Sequence, residues 1–187
     1  MARNLDDRNA GLRWTCGVGQ GELAFDMDIY GINIRQPLAG DIVGNSIALA
    51  AIGTAFEATY RWRLVRDGKT LTEGFITAGS MGAMEIWVEQ LNTTAVKGAG
   101  PAVLELAGDD PSGGEGPDVE PARVSVVVVP GARGYIPYMV RKGDTLTKIL
   151  QELGGDPKVS SVKHAALASG LKNPDKIFPG QLLRIPV

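Results

Sequence analysis

Side chains that could perform covalent or metal chemistry are few in this chain of 187 residues. Cys16 is its only cysteine and His164 its only histidine. A single cysteine excludes an intramolecular disulfide, and a single histidine excludes a metal centre built from several imidazoles. This inventory favours a binding or structural protein over an enzyme, and no cofactor is predicted.

Carboxylates could support hydrolysis of a glycosidic bond, which needs two of them placed across the scissile bond. Asp144 and Asp175 could approach one another, but each lies at a helix-cap or loop position of a small unit. A serine hydrolase would have to use His164, and no Gly-x-Ser-x-Gly motif precedes that residue. We therefore predict no catalytic residues.

A further group of carboxylates lies in the segment 108–121, which contains five acids, four glycines, three prolines and no base. Four of these acids could hold Ca²⁺, which favours clustered oxygen ligands, namely Asp109, Asp110, Glu115 and Asp118. Their spacing does not match an EF-hand loop. A solvated loop is the preferred interpretation, and no metal site is predicted.

The apolar pattern from residue 138 to 187 predicts the order strand, helix, helix, strand. Tyr138–Lys142 form the predicted first strand, and Asp144 or Thr145 caps a helix over Leu146–Leu153. A second helix is expected to start at Asp156-Pro157, because proline suits the first helical turn. Its expected buried face consists of Val159, Val162, Ala166 and Leu167, and Gly170 is expected to end it. The last predicted strand is Gln181–Pro186.

Two motifs in this tail resemble those of the LysM domain in both residue type and spacing. The tail opens with Val140-x-x-Gly143-Asp144-Thr145-Leu146 and closes with Asn173-Pro174-Asp175-x-Ile177-x-Pro179-Gly180-Gln181-x-Leu183-x-Ile185-Pro186. The resemblance implies non-catalytic binding of N-acetylglucosamine polymers such as peptidoglycan, in a shallow groove between two loops. Its implied walls are Gly143, Asp144, Thr145 and Leu146 on one side, and Asn173, Pro174, Asp175, Lys176, Ile177 and Phe178 on the other.

Residues 29–130 show short alternating apolar runs separated by turn residues, which predicts a β-sandwich of six or seven strands. Tyr60, Trp62 and Leu64 share one face of a predicted strand, and Asp67-Gly68 predicts a hairpin turn into Thr70–Thr77. Ile86 and Val88 alternate with Trp87 in a further strand. The valine-rich run 124–129 suits a strand that is covered on both faces.

This region resembles the immunoglobulin-like domain of bacterial spore-germination proteins. The resemblance follows a diffuse series of segments rather than one chemical motif. In order, the segments are Ile32-Asn33-Ile34-Arg35-Gln36-Pro37, Gly40-Asp41-Ile42-Val43, Gly53-Thr54-Ala55-Phe56-Glu57-Ala58, Trp62-Arg63-Leu64, Gly68 and Glu73-Gly74-Phe75. It implies an accessory or interaction module without catalytic residues. The predicted fold class is thus mainly β, with a sandwich followed by a small α+β unit.

Composition and charge complete the predicted organisation: an arm 1–28, a sandwich 29–130, a linker 131–137 and a LysM unit 138–187. The last unit has eight bases and four acids, a net +4, which leaves eleven bases and seventeen acids, a net −6, before it. Such asymmetry supports a boundary near the Pro/Gly-rich linker. The overall charge of −2 provides no basic field for nucleic acid, and no apolar run is long enough for membrane insertion.

Two functions remain open at this stage. The leading prediction is a wall-binding protein whose sandwich or arm contacts a protein partner. The alternative is a structural adaptor, since LysM-like folds also occur in phage tails and contractile injection particles. Residues 1–20 show no export signal, so we expect either a cell-envelope protein whose leader was removed or cytoplasmic assembly into a particle.

Overall fold

In a computed structural model, residues 31–108 and 120–187 are described. The predicted arm, and the acidic segment except Gly108, Glu120 and Pro121, lie outside these ranges. The first part of the described chain contains eight strands and a short 3-10 turn, Phe56–Ala58. The strands are β1 (Asn33–Gln36), β2 (Asp41–Val43), β3 (Ser46–Gly53), β4 (Thr59–Arg66), β5 (Lys69–Thr77), β6 (Glu85–Asn92), β7 (Gly100–Gly108) and β8 (Ala122–Val128).

These strands form two packed sheets, as the sequence predicted, although the described residues contain eight strands rather than six or seven. One sheet has the order β1-β3-β6 and the other the order β2-β8-β7-β4-β5. All pairs are antiparallel except β2 with β8, which run parallel. The inner faces of both sheets supply one apolar core, in which Tyr60, Leu64 and Leu104 are fully buried. Fold class is therefore confirmed for this part of the chain.

Strand β4 shows how the local sequence positions the core. Tyr60, Trp62 and Leu64 point inwards, and the residues between them are at least partly exposed. Asp67 and Gly68 both have positive φ, at 49° and 73°, which gives the tight turn expected between β4 and β5. In β6 the buried face is that of Trp87, whose ring lies 4.7 Å from that of Tyr60 between centroids. Ile86 and Val88 consequently face solvent.

The C-terminal part contains β9 (Tyr135–Met139), α1 (Leu146–Leu153), α2 (Val162–Ala168) and β10 (Leu182–Pro186). The predicted order of elements is correct, and α1 has the predicted bounds. Both helices pack on the β9–β10 pair, around Ile149, Ala165, Leu183 and Ile185. No helix within the described ranges is long and apolar enough to cross a bilayer.

The bounds of β9 and α2 differ most from the prediction, and β9 also ends at Met139 rather than at Lys142. Strand β9 begins at Tyr135, inside the predicted linker, because Tyr135, Ile136 and Pro137 pair with the end of β10. Helix α2 begins at Val162 rather than at Asp156-Pro157, because the Ser161 hydroxyl accepts a bond from the backbone N–H of His164. Asp156 instead starts a turn in which its backbone carbonyl accepts from Val159 and Ser160.

The two parts of the chain contact each other through a small apolar cluster. Val159, which was expected on α2, packs against Val129 and Ala132 with Val127 nearby. Val127 lies on the outer face of β8 and is half-buried at this cluster, whereas Arg123 and Ser125 on the same face are exposed. The prediction that β8 is covered on both faces therefore holds only at one end of the strand. The connecting chain also passes so close to Gly44 that a Cβ there would lie 1.9 Å from the Ala132 carbonyl oxygen. Only glycine fits that position.

Candidate functional site

The two predicted wall loops leave the same end of the β9–β10 pair. Because these strands are antiparallel, the chain that follows Met139 and the chain that precedes Leu182 meet at one end of the strand pair. At that end, the Val140 N–H donates to the Gln181 carbonyl at 2.9 Å, and the Val140 carbonyl accepts from the Gly180 N–H at 2.8 Å. Chain topology alone therefore places the first loop, 141–145, beside the second loop, 172–181.

In the first loop, the Asp144 carboxylate is bonded within the fold. Its Oδ2 accepts from the Arg141 N–H at 2.7 Å and from the Tyr138 hydroxyl at 3.0 Å. Burial raises the pKa of Tyr138 above its ordinary value, and the bond to the negative Asp144 acts in the same direction. Gly143, with φ at 90°, makes the turn that brings Asp144 back onto Arg141. Asp144 thus shapes the loop.

The next two residues of this wall are also used by the fold. Thr145 is the N-cap of α1, and its Oγ1 accepts from the Lys148 N–H at 3.3 Å. Leu146 is buried in the core between the helices and the sheet. Its side chain therefore cannot line a surface groove, although its backbone lies at the start of α1.

The second loop begins with a turn made by Asn173. Its Oδ1 accepts from the Asp175 N–H at 2.9 Å, and its carbonyl accepts from the Lys176 N–H at 3.2 Å. Ile177 is half-buried against the domain core, and Pro174 is also half-buried. Asp175 and Lys176 are exposed. This wall therefore combines exposed polar groups with a partly accessible aliphatic side chain.

Phe178 is the most exposed apolar side chain of this loop, at 66% of its full area. Its backbone N–H donates to Oε1 of Gln181 at 3.1 Å, and its carbonyl accepts from the Gln181 N–H. Gln181 therefore fixes the backbone of Phe178, whose aromatic ring is exposed to solvent. An exposed aromatic ring beside polar groups suits a sugar, which presents both C–H faces and hydroxyls.

Sequence reasoning missed Tyr138 and Gln181, which position Asp144 and Phe178 respectively. The sequence predicts Tyr138 as a strand residue and Gln181 as the start of the last strand, with no role in the groove. The motif contained a signal for Gln181, since it directly follows the Pro179-Gly180 turn. The bond from Tyr138 to Asp144 depends on strand geometry and has no counterpart in the residue pattern.

Basic side chains surround both loops. Arg141 and Lys142 are exposed in the first loop, and Lys148 reaches the Gly143 carbonyl from α1 at 3.5 Å. Lys172 and Lys176 are exposed in the second. Asp175 is the exposed acid among them, since Asp144 is bonded to Arg141 and Tyr138. The region carries a local excess of positive charge.

His164 and Ser169 both have structural roles in the fold. His164 is half-buried on α2, and its Nδ1 lies 2.9 Å from the Val159 carbonyl oxygen. Ser169, at the C-terminal end of α2, exchanges hydrogen bonds with the backbone of Arg184 and so ties α2 to β10. Within residues 31–108 and 120–187, no three His, Cys, Asp or Glu side chains come together as a metal site.

On the sandwich, the most prominent charged cluster is a set of ion pairs across β4, β7 and β8. Glu105 accepts from Arg63 at 2.7 Å and from Arg123 at 3.0 Å. Partial burial alone would raise the pKa of Glu105, but its bonds to Arg123 and Arg63 lower it overall. All its carboxylate oxygens are bonded, so this cluster stabilises the sheet.

Comparison with known families assigns both parts of the chain. Residues 138–186 match the LysM domain family, and both predicted wall loops lie inside that match. This segment is a LysM domain. Residues 31–115 match the immunoglobulin-like domain of bacterial spore germination, so the sandwich is a domain of that type. Both are families of non-catalytic binding modules.

The chain also has a curated relative. It is 45% identical over 49 residues to the potassium binding protein Kbp of Escherichia coli O6:H1. The matched segment is 26% of this chain and 33% of Kbp. The chain thus spans about a third of the length of that relative.

Proposed function

We propose that this protein binds N-acetylglucosamine polymers without cleaving them, and that its ligand is peptidoglycan. One observation supports the proposal most strongly: two loops with LysM residue spacing extend from the same end of the β9–β10 pair, in a segment that matches the LysM family. The residues proposed to line the groove are the backbone of 143–146 together with Asn173, Pro174, Asp175, Lys176, Ile177 and Phe178.

The loops offer the two kinds of contact that an N-acetylated sugar needs. The N–H groups in the first turn of an α-helix have no intrahelical acceptors. In α1, the Thr145 hydroxyl accepts a hydrogen bond from the N–H of Lys148. The N–H groups of Leu146 and Thr147 are therefore the proposed donors to an acetamido carbonyl. Ile177 and Phe178 supply apolar area against the ring, as in small-ligand sites generally.

The charge around the groove favours peptidoglycan over chitin. Peptidoglycan carries carboxylates on its peptide stems, whereas chitin is neutral. Arg141, Lys142, Lys172 and Lys176 lie exposed on or beside the two loops. Oppositely charged surfaces increase the rate and specificity of association, and salt screens that attraction over about 10 Å at 0.1 M. Peptidoglycan binding should therefore weaken with added salt.

The immunoglobulin-like domain is proposed as an accessory module that contacts a protein or acts as a spacer. Its prominent charged cluster is internally paired and stabilises the sheet. Potassium binding is not carried over from Kbp, because the match covers a third of that protein.

Co-sedimentation with purified peptidoglycan sacculi tests this proposal. The protein should pellet with sacculi, remain soluble without them, and be released by soluble N-acetylglucosamine oligomers. Lys172→Glu with Lys176→Glu should reduce the pelleted fraction, whereas Lys163→Glu, an exposed lysine on α2, should not. A protein that stays soluble, but elutes as a particle of defined stoichiometry, would instead favour the adaptor function.

A further inference from the structure

The edges of the described sandwich differ in how they are protected from pairing with another chain. Exposed edges are normally short, bulged or charged, because their free backbone groups attract other strands. Strand β1 has four residues and an irregular register, and β2 has three residues. Strand β5 carries Lys69 and Glu73, and its register with β4 is also irregular. Each of these edges has a protective feature.

Strand β6 is less protected, since its charged side chains are the two acids Glu85 and Glu89. It pairs with β3 over all eight residues without a register shift, and among the described residues no strand pairs with its other side. It contains no proline, lysine or arginine. On its solvent face, Ile86 is 76% and Val88 is 63% exposed. Opposite them on β3 lie Ile52 and Ala50, so this face is apolar across both strands.

The acids of β6 restrict which partner strand it can accept. Glu85 and Glu89 alternate with Ile86 and Val88, and like charges directly opposite each other destabilise a strand pair. For two antiparallel copies of β6, centring the pair on Trp87 sets Glu85 opposite Glu89. Centring it on Glu89 sets that residue opposite itself.

Centring the pair on Val88 avoids both conflicts and still uses the strand along its whole length. Glu85 then faces Leu91 of the other copy, and Glu89 faces Trp87. On the solvent face Val88 meets Val88, while Ile86 meets Gln90, which is uncharged. The sequence of β6 is therefore complementary to itself in this register.

We propose that β6 is a dimerisation edge, at which β6 of a second copy adds in antiparallel register centred on Val88. The two three-stranded sheets then form one six-stranded sheet. Its solvent face carries a continuous apolar band through Ile52, Ile86 and Val88 of both copies. This proposal does not depend on sugar binding by the LysM domain.

Sedimentation velocity over a concentration series measures the association. The full chain should show a concentration-dependent monomer–dimer equilibrium. Val88→Lys should raise the dimer dissociation constant about tenfold or more, because it sets two ammonium groups opposite each other. Thr70→Lys, on the exposed edge strand β5, should leave it unchanged. Circular dichroism should show both variants folded. A monomer at every concentration, or a dimer insensitive to Val88→Lys, would overturn the proposal.

Disulfide trapping tests the register. Residues directly opposite in an antiparallel pair have Cα atoms about 4.5–5.5 Å apart, within the range that a disulfide spans. In a Cys16→Ser background, Val88→Cys should therefore form a covalent dimer on mild oxidation. Gln90→Cys should not, since its two copies are offset by four residues, about 13 Å. Equal crosslinking of the two variants would refute pairing centred on Val88.

Discussion

At the scale of single residues, the groove divides into side chains that shape it and side chains that are free to contact a ligand. Asp144, Thr145 and Asn173 each accept hydrogen bonds from the backbone of their own loop. Replacing Thr145 by alanine would cost about 0.5–2 kcal/mol through loss of the helix cap. Substitutions at these positions therefore change folding and binding together. Phe178 is the better probe.

We expect Phe178→Ala to weaken binding to N-acetylglucosamine oligomers about tenfold while leaving the melting temperature nearly unchanged. The ring is 66% exposed, so its removal leaves no cavity in the core. Titration calorimetry of the variant, together with its thermal melt, measures both effects. Phe75→Ala is the matched control, because Phe75 is equally exposed but lies on β5 of the sandwich. Equal affinity of the Phe178→Ala and Phe75→Ala variants for the oligomer would show that Phe178 does not contact the sugar.

Tyr138 gives a prediction about pH. Burial and the bond to Asp144 raise its pKa in the folded state, so the unfolded chain loses this proton first as the pH rises. The contribution to stability is complete below the ordinary tyrosine pKa of about 10 and is lost above it. Tyr138→Phe should therefore lose less stability than the parent between pH 8 and pH 11 in urea unfolding. An identical loss in both proteins would contradict the role given to this hydroxyl.

At the scale of elements, the sequence predicted those whose signals are local. Helix α1 has a capping threonine, regular apolar spacing and a terminal glycine, and its bounds were predicted correctly. The hairpin between β4 and β5 was predicted equally well from Asp67-Gly68. Both follow from backbone preferences that act within a few residues.

Elements set by distant contacts were predicted less well. The start of β9 depends on pairing with β10, about fifty residues away. Val159 looked like part of the second helix because it is apolar at the right spacing, yet it packs on the sandwich. Within the groove, residue spacing identified both loops but not which side chains are already hydrogen-bonded.

The observed start of α2 can be tested directly. Ser161→Ala should lower the free energy of unfolding by about 1 kcal/mol, since the Ser161 hydroxyl accepts the His164 N–H. Lys163→Ala, in the first turn of the same helix and exposed, should have little effect, because the Lys163 side chain does not cap the helix. Chemical denaturation of the two variants measures both values. A helix that began at Asp156 would instead make Ser161→Ala nearly neutral.

At the scale of the whole molecule, the LysM domain contacts the sandwich through an apolar cluster and a hydrogen bond, among other contacts between described residues. The cluster is formed by Val159 with Val129 and Ala132. The hydrogen bond, of 2.7 Å, runs from the Arg184 guanidinium on β10 to the Gly40 carbonyl before β2. Most of the LysM core lies apart from both. We therefore propose that the LysM domain folds independently and gains stability from the junction.

A fragment of residues 133–187 should unfold cooperatively, at a lower melting temperature than the same domain in the full chain. Its core is small, so only modest stability is expected. Val159→Ala should destabilise the full chain by about 1–3 kcal/mol and the fragment by much less, because the fragment lacks the sandwich residues that bury Val159. Calorimetry of the four proteins measures the difference. Failure of the fragment to fold would contradict an independent domain.

The central claim is that the two loops at the end of the β9–β10 pair bind sugar. Amide chemical shifts recorded while an N-acetylglucosamine oligomer is titrated to millimolar concentration test it most directly, because each residue reports separately. The account predicts saturable shifts concentrated at 143–147 and 173–178, with the amides of β3 and β6 unchanged. Shifts confined to other surfaces, or none at the highest concentration, would contradict it.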